Sequence, residues 1–142
     1  MHEVAHACIA AHLGIAGEVV VIRNPTGGRD SKHFHGYYRP LADPSAREWE
    51  LIAVAGIVGE LFDDNAAIEA VDVMEEVWAD DNLMSATDEN HAGKMRLATL
   101  TRCLRLVRKY WPRIVERAEA LAGAIDGPPL RMDWTTFRVK AR

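Results

Sequence analysis

The feature that most constrains this chain is the run His2-Glu3-Val4-Ala5-His6, which fits the pattern HExxH and continues as ACIAAHL. Its alanines favour a helix, and on a helix residues four apart lie one turn apart on the same face. His2 and His6 then aim two imidazole nitrogens at one point, as two ligands of a zinc ion do at roughly 2.0–2.1 Å. Glu3 falls beside that face, placed to reach a water on the ion without displacing it, which suits a general base. Two histidines and a water leave such a site one protein ligand short.

Three residues are candidates for that ligand. His12 lies six residues after His6, where HExxHxxGxxH places a third histidine, but the glycine that turns the chain back is Ile9 here. A continuing helix carries His12 about 9 Å beyond His6 at roughly 1.5 Å per residue, so His12 reads as a surface side chain. Glu60 ends an apolar helix and can either bind the ion or hold a ligand histidine by its other nitrogen. Asp88, within SATDENHA, sits in the first turn of a later helix, where the dipole favours a carboxylate. Spacing alone does not choose between Glu60 and Asp88.

The rest of the chain reads as follows. Residues 1–13 form the first helix, ended by Gly14 or Gly17. EVVVIR at 18–23 is a short β-branched strand, NPTGGRDS at 24–31 a turn, and KHFHGYYR at 32–39 a second strand pairing with the first as a hairpin. Asp43-Pro44-Ser45 opens a helix that runs to about Phe62 and is apolar all round between Leu51 and Gly59, hence buried. Residues 66–78 are helical and Asp80-Asp81-Asn82 breaks them. Ser85 or Thr87 caps a long helix to about Tyr110 with the stripe Leu97, Leu100, Leu104, Val107 and Trp111. Pro112 restarts a helix with the stripe Ile114, Ala118, Leu121 and Ile125; Asp126-Gly127-Pro128-Pro129 stops it, and Asp133 caps a short last turn. The expectation is one domain over 1–142, mainly α with a small β-hairpin, in the α+β class.

The 142 residues, 49% apolar and 27% charged, are enough to bury a core without disulfides. Cys8 and Cys103 form no CxxC pair and read as reduced thiols of a cytoplasmic protein. A net charge of −4 argues against a nucleic-acid partner. The longest apolar run, Leu51 to Gly59, is far short of the roughly 20 residues that span a bilayer, and the first residues show no signal-peptide pattern. Trp49, Trp78, Trp111 and Trp134 read as packing residues, and Arg102, Arg105, Lys109 and Arg113 as a solvated basic face. His33 and His35 share one face of their strand and read as surface side chains, as does His91, one turn after Asp88. Ala55-Gly56 and Gly59 allow the buried helix to approach the HEVAH helix closely.

Taken in order, these segments resemble the peptidase domain of FtsH-type ATP-dependent zinc proteases. HEVAHACIAAHL is similar to that family's HEAGHA helix. EVVVIRNP with HGYY is similar to its strand, proline loop and glycine segment, and AVAGIVGELF to its glycine-rich, AEE-containing helix. SATDENHA is similar to the segment that supplies its third metal ligand, and ERAEALAGAIDGPPL to its last helices. The resemblance implies zinc held by His2, His6 and Asp88, with Glu3 as base. It also implies an exposed strand edge, between Glu18 and Tyr38, on which an extended polypeptide substrate adds as another strand.

The chain departs from that pattern at Ala86-Thr87, where the family has Ser-Asn, and at Ile57, where it has Arg. It also lacks any GxxxxGK[ST] loop. It therefore cannot unfold substrates with ATP by itself, and a separate ATPase or self-association is the expected partner. These departures keep open a catalytically inactive interaction module that has retained the fold. Because HExxH begins at residue 2, an upstream segment is expected, and with it weak metal binding by residues 1–142 alone.

Overall fold

The computed structural model describes residues 1–23, 34–124 and 128–132, apart from the side chains of Arg23, Phe34 and His35. The described residues form α1 (His2–His12), β1 (Gly17–Arg23), β2 (Phe34–Pro40), α2 (Ala46–Asp64), α3 (Ala70–Ala79), α4 (Ala86–Ala92), α5 (Leu97–Gly123) and β3 (Leu130–Met132). The architecture is mainly helical with a small antiparallel sheet. No described helix is long and apolar enough to cross a membrane.

Helix α1 runs through the interior. Every residue from Val4 to Ala11 is buried, so the alanines serve close packing as well as helix propensity. Gly14, at φ +84°, ends the helix in the left-handed region that only glycine adopts without cost. Ile15 N–H donates to the Ala10 carbonyl and Gly14 N–H to that of Ala11, closing the last turn in a Schellman arrangement. Gly17 instead opens β1.

Helix α2 packs across α1 and is buried on all sides from Leu51 to Gly59, as its uniform apolarity requires. Ser45 caps it, with Glu48 reaching back to the Ser45 N–H at 2.7 Å. Pro44 therefore precedes the cap rather than occupying the first turn. Gly59 lets α2 touch α1, because a Cβ there would lie 2.7 Å from that of Ala5. Ile9, Ile57, Leu100 and Ile114 are fully buried in the main core shared by α1, α2 and α5, and Ile52 in a smaller cluster with Ala10 and Ile15; each stabilises the fold by about 1.5–3 kcal/mol. Cys8 and Cys103 are free thiols within this core, and burial pushes both thiol pKa values up.

The expected hairpin forms, with Val19 opposite Tyr38 and Val21 opposite Gly36. It is one part of a three-stranded sheet, in the order β2-β1-β3. Strand β3, just after the Asp-Gly-Pro-Pro stop signal, pairs Leu130 with Val19 and Met132 with Gly17. Three other expectations are corrected. The helix expected over 66–78 begins only at Ala70, after a turn at 66–67. The single helix from Ser85 to Tyr110 is two helices, parted at Gly93, whose φ of +57° turns the chain. Pro112 restarts nothing, because α5 continues through it for 27 residues. The missing N–H costs one ladder bond, while Leu104, Val107 and Ile114 anchor both sides in the core. The turn at 24–31, His33, Ile125, Asp133 and Trp134 lie outside the described residues, as does the His35 side chain.

Candidate metal centre

Helix α1 presents His2 and His6 one turn apart, with ring centroids 4.7 Å apart. Each ring is held from behind through its Nδ1. His6, buried, donates Nδ1–H to the Ile52 carbonyl at 2.6 Å, which fixes the tautomer and leaves the Nε2 lone pair facing outward. Burial holds the His6 pKa below its usual value, and the neighbouring His2 adds to this. The ring is thus kept neutral, as a metal ligand must be.

His2 lies between two carboxylates. Its Nδ1 is 3.2 Å from Glu60 Oε2 and its Nε2 is 3.4 Å from Asp88 Oδ2. Burial alone would lower its pKa. The hydrogen bonds to Asp88 and Glu60, with the charges of Glu60 and Glu3, outweigh that and raise it to about 9. Gly56 makes room for this ring, since a Cβ there would lie 2.4 Å from His2 Nε2.

Asp88 reaches the pair from α4. Ser85 caps that helix by accepting the Asp88 N–H at 3.1 Å, and its hydroxyl donates to Asp88 Oδ2 at 2.7 Å. A residue three positions past the cap is thereby aimed at α1. Burial opposes the charge on Asp88, but the His2 hydrogen bond, the nearby His6 and the Ser85 hydroxyl hold its carboxyl below the usual range.

The donor set can be compared with what a tetrahedral ion requires. Two bonds of about 2.0–2.1 Å at the tetrahedral angle put their donors roughly 3.3–3.4 Å apart. Asp88 approaches the two rings through different oxygens, Oδ2 at 3.4 Å from His2 Nε2 and Oδ1 at 3.6 Å from His6 Nε2, so an ion bound by one oxygen requires a small shift of the carboxylate. One ligand atom from each of the three residues lies within 4.8 Å of the others. Two nitrogens and a carboxylate oxygen make a donor set that suits zinc. Glu60 sits behind His2, where it can orient the ring rather than complete the tetrahedron. His12 is directed elsewhere, its Nδ1 lying 2.9 Å from the Tyr110 hydroxyl.

Glu3 lines the same cleft. Its Cγ lies 2.9 Å from where a Gly36 Cβ would stand, so the absent side chain on β2 gives the carboxylate its space. The cleft, of about 290 Å³, is lined by His2, Glu3 and His6, by Gly36 to Tyr38 of β2, and by Asp88 with its flanking residues. Sequence reasoning missed two of its walls. Tyr38 stacks near His6, at 6.4 Å between centroids, and Trp49 stacks on His91 at 4.0 Å and 12°. Neither contact carries a local signal, because each joins separate elements. Trp111 packs edge-on against Phe62 as expected of a packing residue, but Trp78 is 71% exposed, a correction to its assignment as one. The basic side chains Arg102, Arg105 and Lys109 are solvent-exposed.

No protein-family model matches the chain, and no curated protein sequence matches it significantly.

Proposed function

We propose that this chain is a zinc-dependent endopeptidase of the FtsH-peptidase type, acting on extended or unfolded polypeptide in the cytoplasm. The observation that carries the proposal is the convergence of His2, His6 and Asp88, one ligand atom of each within 4.8 Å of the others, with Glu3 in the same cleft. A zinc ion held by these three residues would supply Lewis acidity, polarising a substrate carbonyl and acidifying a water.

The chain's own groups do the rest. His6 is held neutral by burial and oriented by Ile52; His2 is oriented by Glu60, and Asp88 by Ser85. Glu3 takes the proton from the attacking water and returns it to the amide nitrogen as the peptide bond breaks. Among the described residues strand β2 is an edge of the sheet, and it lines the cleft through Gly36, Tyr37 and Tyr38. An extended substrate is held by adding to that edge, its backbone pairing with β2. Folded substrates require a separate ATPase or an assembled partner to unfold them.

The test is Glu3→Gln, assayed with zinc on casein or an unfolded peptide. The variant keeps its metal and loses turnover by about 10²–10⁴, the usual contribution of a general base. A fully active Gln variant rejects the mechanism. Zinc-loaded wild type that cleaves neither substrate points instead to a non-catalytic interaction module.

A further inference from the structure

Away from the cleft, the charge on this molecule is unevenly placed. Between Glu60 and Asp81 there are nine Asp or Glu residues and no Lys or Arg. The C-terminal end of α2 and helix α3 enclose a groove of about 630 Å³ within this stretch. Its apolar floor is the buried Ile68 with the half-buried Leu61, and its rim carries the exposed Ala79, Asp64, Asp72, Glu75 and Glu76. Arg108 of α5 is engaged with the Ile68 carbonyl, at 2.6 Å, and with Glu69.

Beside the groove runs a second feature. Val71 and Trp78 are 50% and 71% exposed. With Glu75 between them, they fall at i, i+4 and i+7 on one side of α3. Glu75 thus belongs both to the rim and to this apolar stripe. The opposite side of the helix is fixed, with Val73 and Ala70 buried against the core. An indole left in water on an anchored helix, next to an apolar floor rimmed by carboxylates, has the composition of an interface anchor. Trp faces also attract ammonium and guanidinium groups.

From this charge and this apolar surface we infer that the α2–α3 groove docks a basic amphipathic segment of a partner polypeptide. Its Lys or Arg side chains meet the rim carboxylates, while its apolar side chains cover Trp78, Val71 and the groove floor. The inference does not rest on the peptidase proposal.

The test is anisotropy titration of a labelled amphipathic Lys/Leu peptide against the full chain, with the Glu/Leu peptide as control. The Lys/Leu peptide binds and the Glu/Leu peptide does not, and binding weakens as salt screens the charges. Trp78→Ala, and separately Glu75→Gln with Glu76→Gln, each weaken binding at least tenfold with circular dichroism unchanged. Arg102→Gln with Arg105→Gln, on the exposed face of α5, leaves it unaltered. Full-affinity binding by the Trp78 or the Glu75/Glu76 variant overturns the inference. So does sedimentation showing self-association that requires Trp78 in a chain that binds no peptide, since the groove's occupant is then a second copy.

Discussion

Gly56→Ala separates the fold from the proposed metal centre. The added Cβ would stand 2.4 Å from His2 Nε2 and 2.6 Å from two ring carbons. Ordinary carbon contacts lie at about 3.5–4.0 Å, so the imidazole has to retreat by roughly 1 Å or more. The ring is the movable partner, because α2 is buried around Gly56. Metal bonds near 2.0–2.1 Å tolerate shifts of only about 0.2 Å, so His2 is lost as a ligand. Removing an outer-shell partner typically costs 10–100-fold in affinity; losing a ligand costs at least 100-fold. Stability changes much less. Alanine gains about 0.8–1.0 kcal/mol over glycine inside a helix, against about 1–3 kcal/mol for overpacking. Above pH 9, where the His2 charge no longer contributes, the net loss is at most about 2 kcal/mol, a fall of several degrees in the Tm of a domain this size. Zinc affinity is measured by competition with a chromophoric chelator, and Tm by melting the metal-free protein. Zinc affinity within threefold of wild type would refute the reasoning. Gly59→Ala provides the contrast: its Cβ would meet the Ala5 methyl at 2.7 Å, with no flexible side chain to yield, so its stability loss is the larger of the two.

Other outcomes follow from the same geometry. In the metal-free protein the His2 pKa is about 9 against 6.5 for an unperturbed histidine. Its contribution to stability is therefore full below about pH 6.5 and is lost as pH rises through 9. It amounts to at most about 3 kcal/mol, checked by denaturant melts of the metal-free protein across that range. Zinc binding has the opposite slope, since the ion displaces the His2 proton. Affinity rises about tenfold per pH unit up to 9, and calorimetry in two buffers of different ionisation enthalpy records about one proton released near pH 7. Glu60→Gln weakens zinc binding 10–100-fold, as loss of an orienting partner does, seen in the same chelator competition. Leu100→Ala, at a fully buried position, costs about 2–5 kcal/mol in chemical denaturation and leaves zinc affinity unchanged in the folded protein.

The parts of the fold and site that depend on local spacing were legible in the sequence. The two histidines are four residues apart on an alanine-rich helix, Ser85 lies three residues before Asp88, and the glycines of α2 sit where α1 approaches. Each is a statement about one turn of helix or one buried face. What was not legible depends on partners distant in sequence. Strand β3 is three residues long and exists because Leu130 and Met132 find β1. Gly93 sits inside a helical pattern and breaks it, because α4 has to turn so that Asp88 faces α1. Pro112 is tolerated because the core holds α5 on both sides of it. The positions of Glu60 and Asp88, at Nδ1 and Nε2 of His2, become distinct only when α2 and α4 are placed together. The exposure of Trp78 could not be anticipated either, since its helix resembles any other packing element.

The most direct test is a crystal of the chain grown with zinc, with anomalous diffraction recorded on both sides of the zinc edge. The account predicts one ion bonded at about 2.0–2.2 Å to Nε2 of His2, Nε2 of His6 and the Asp88 carboxylate. An ion bound elsewhere, or none at these residues with the two rings turned away from Asp88, would contradict it.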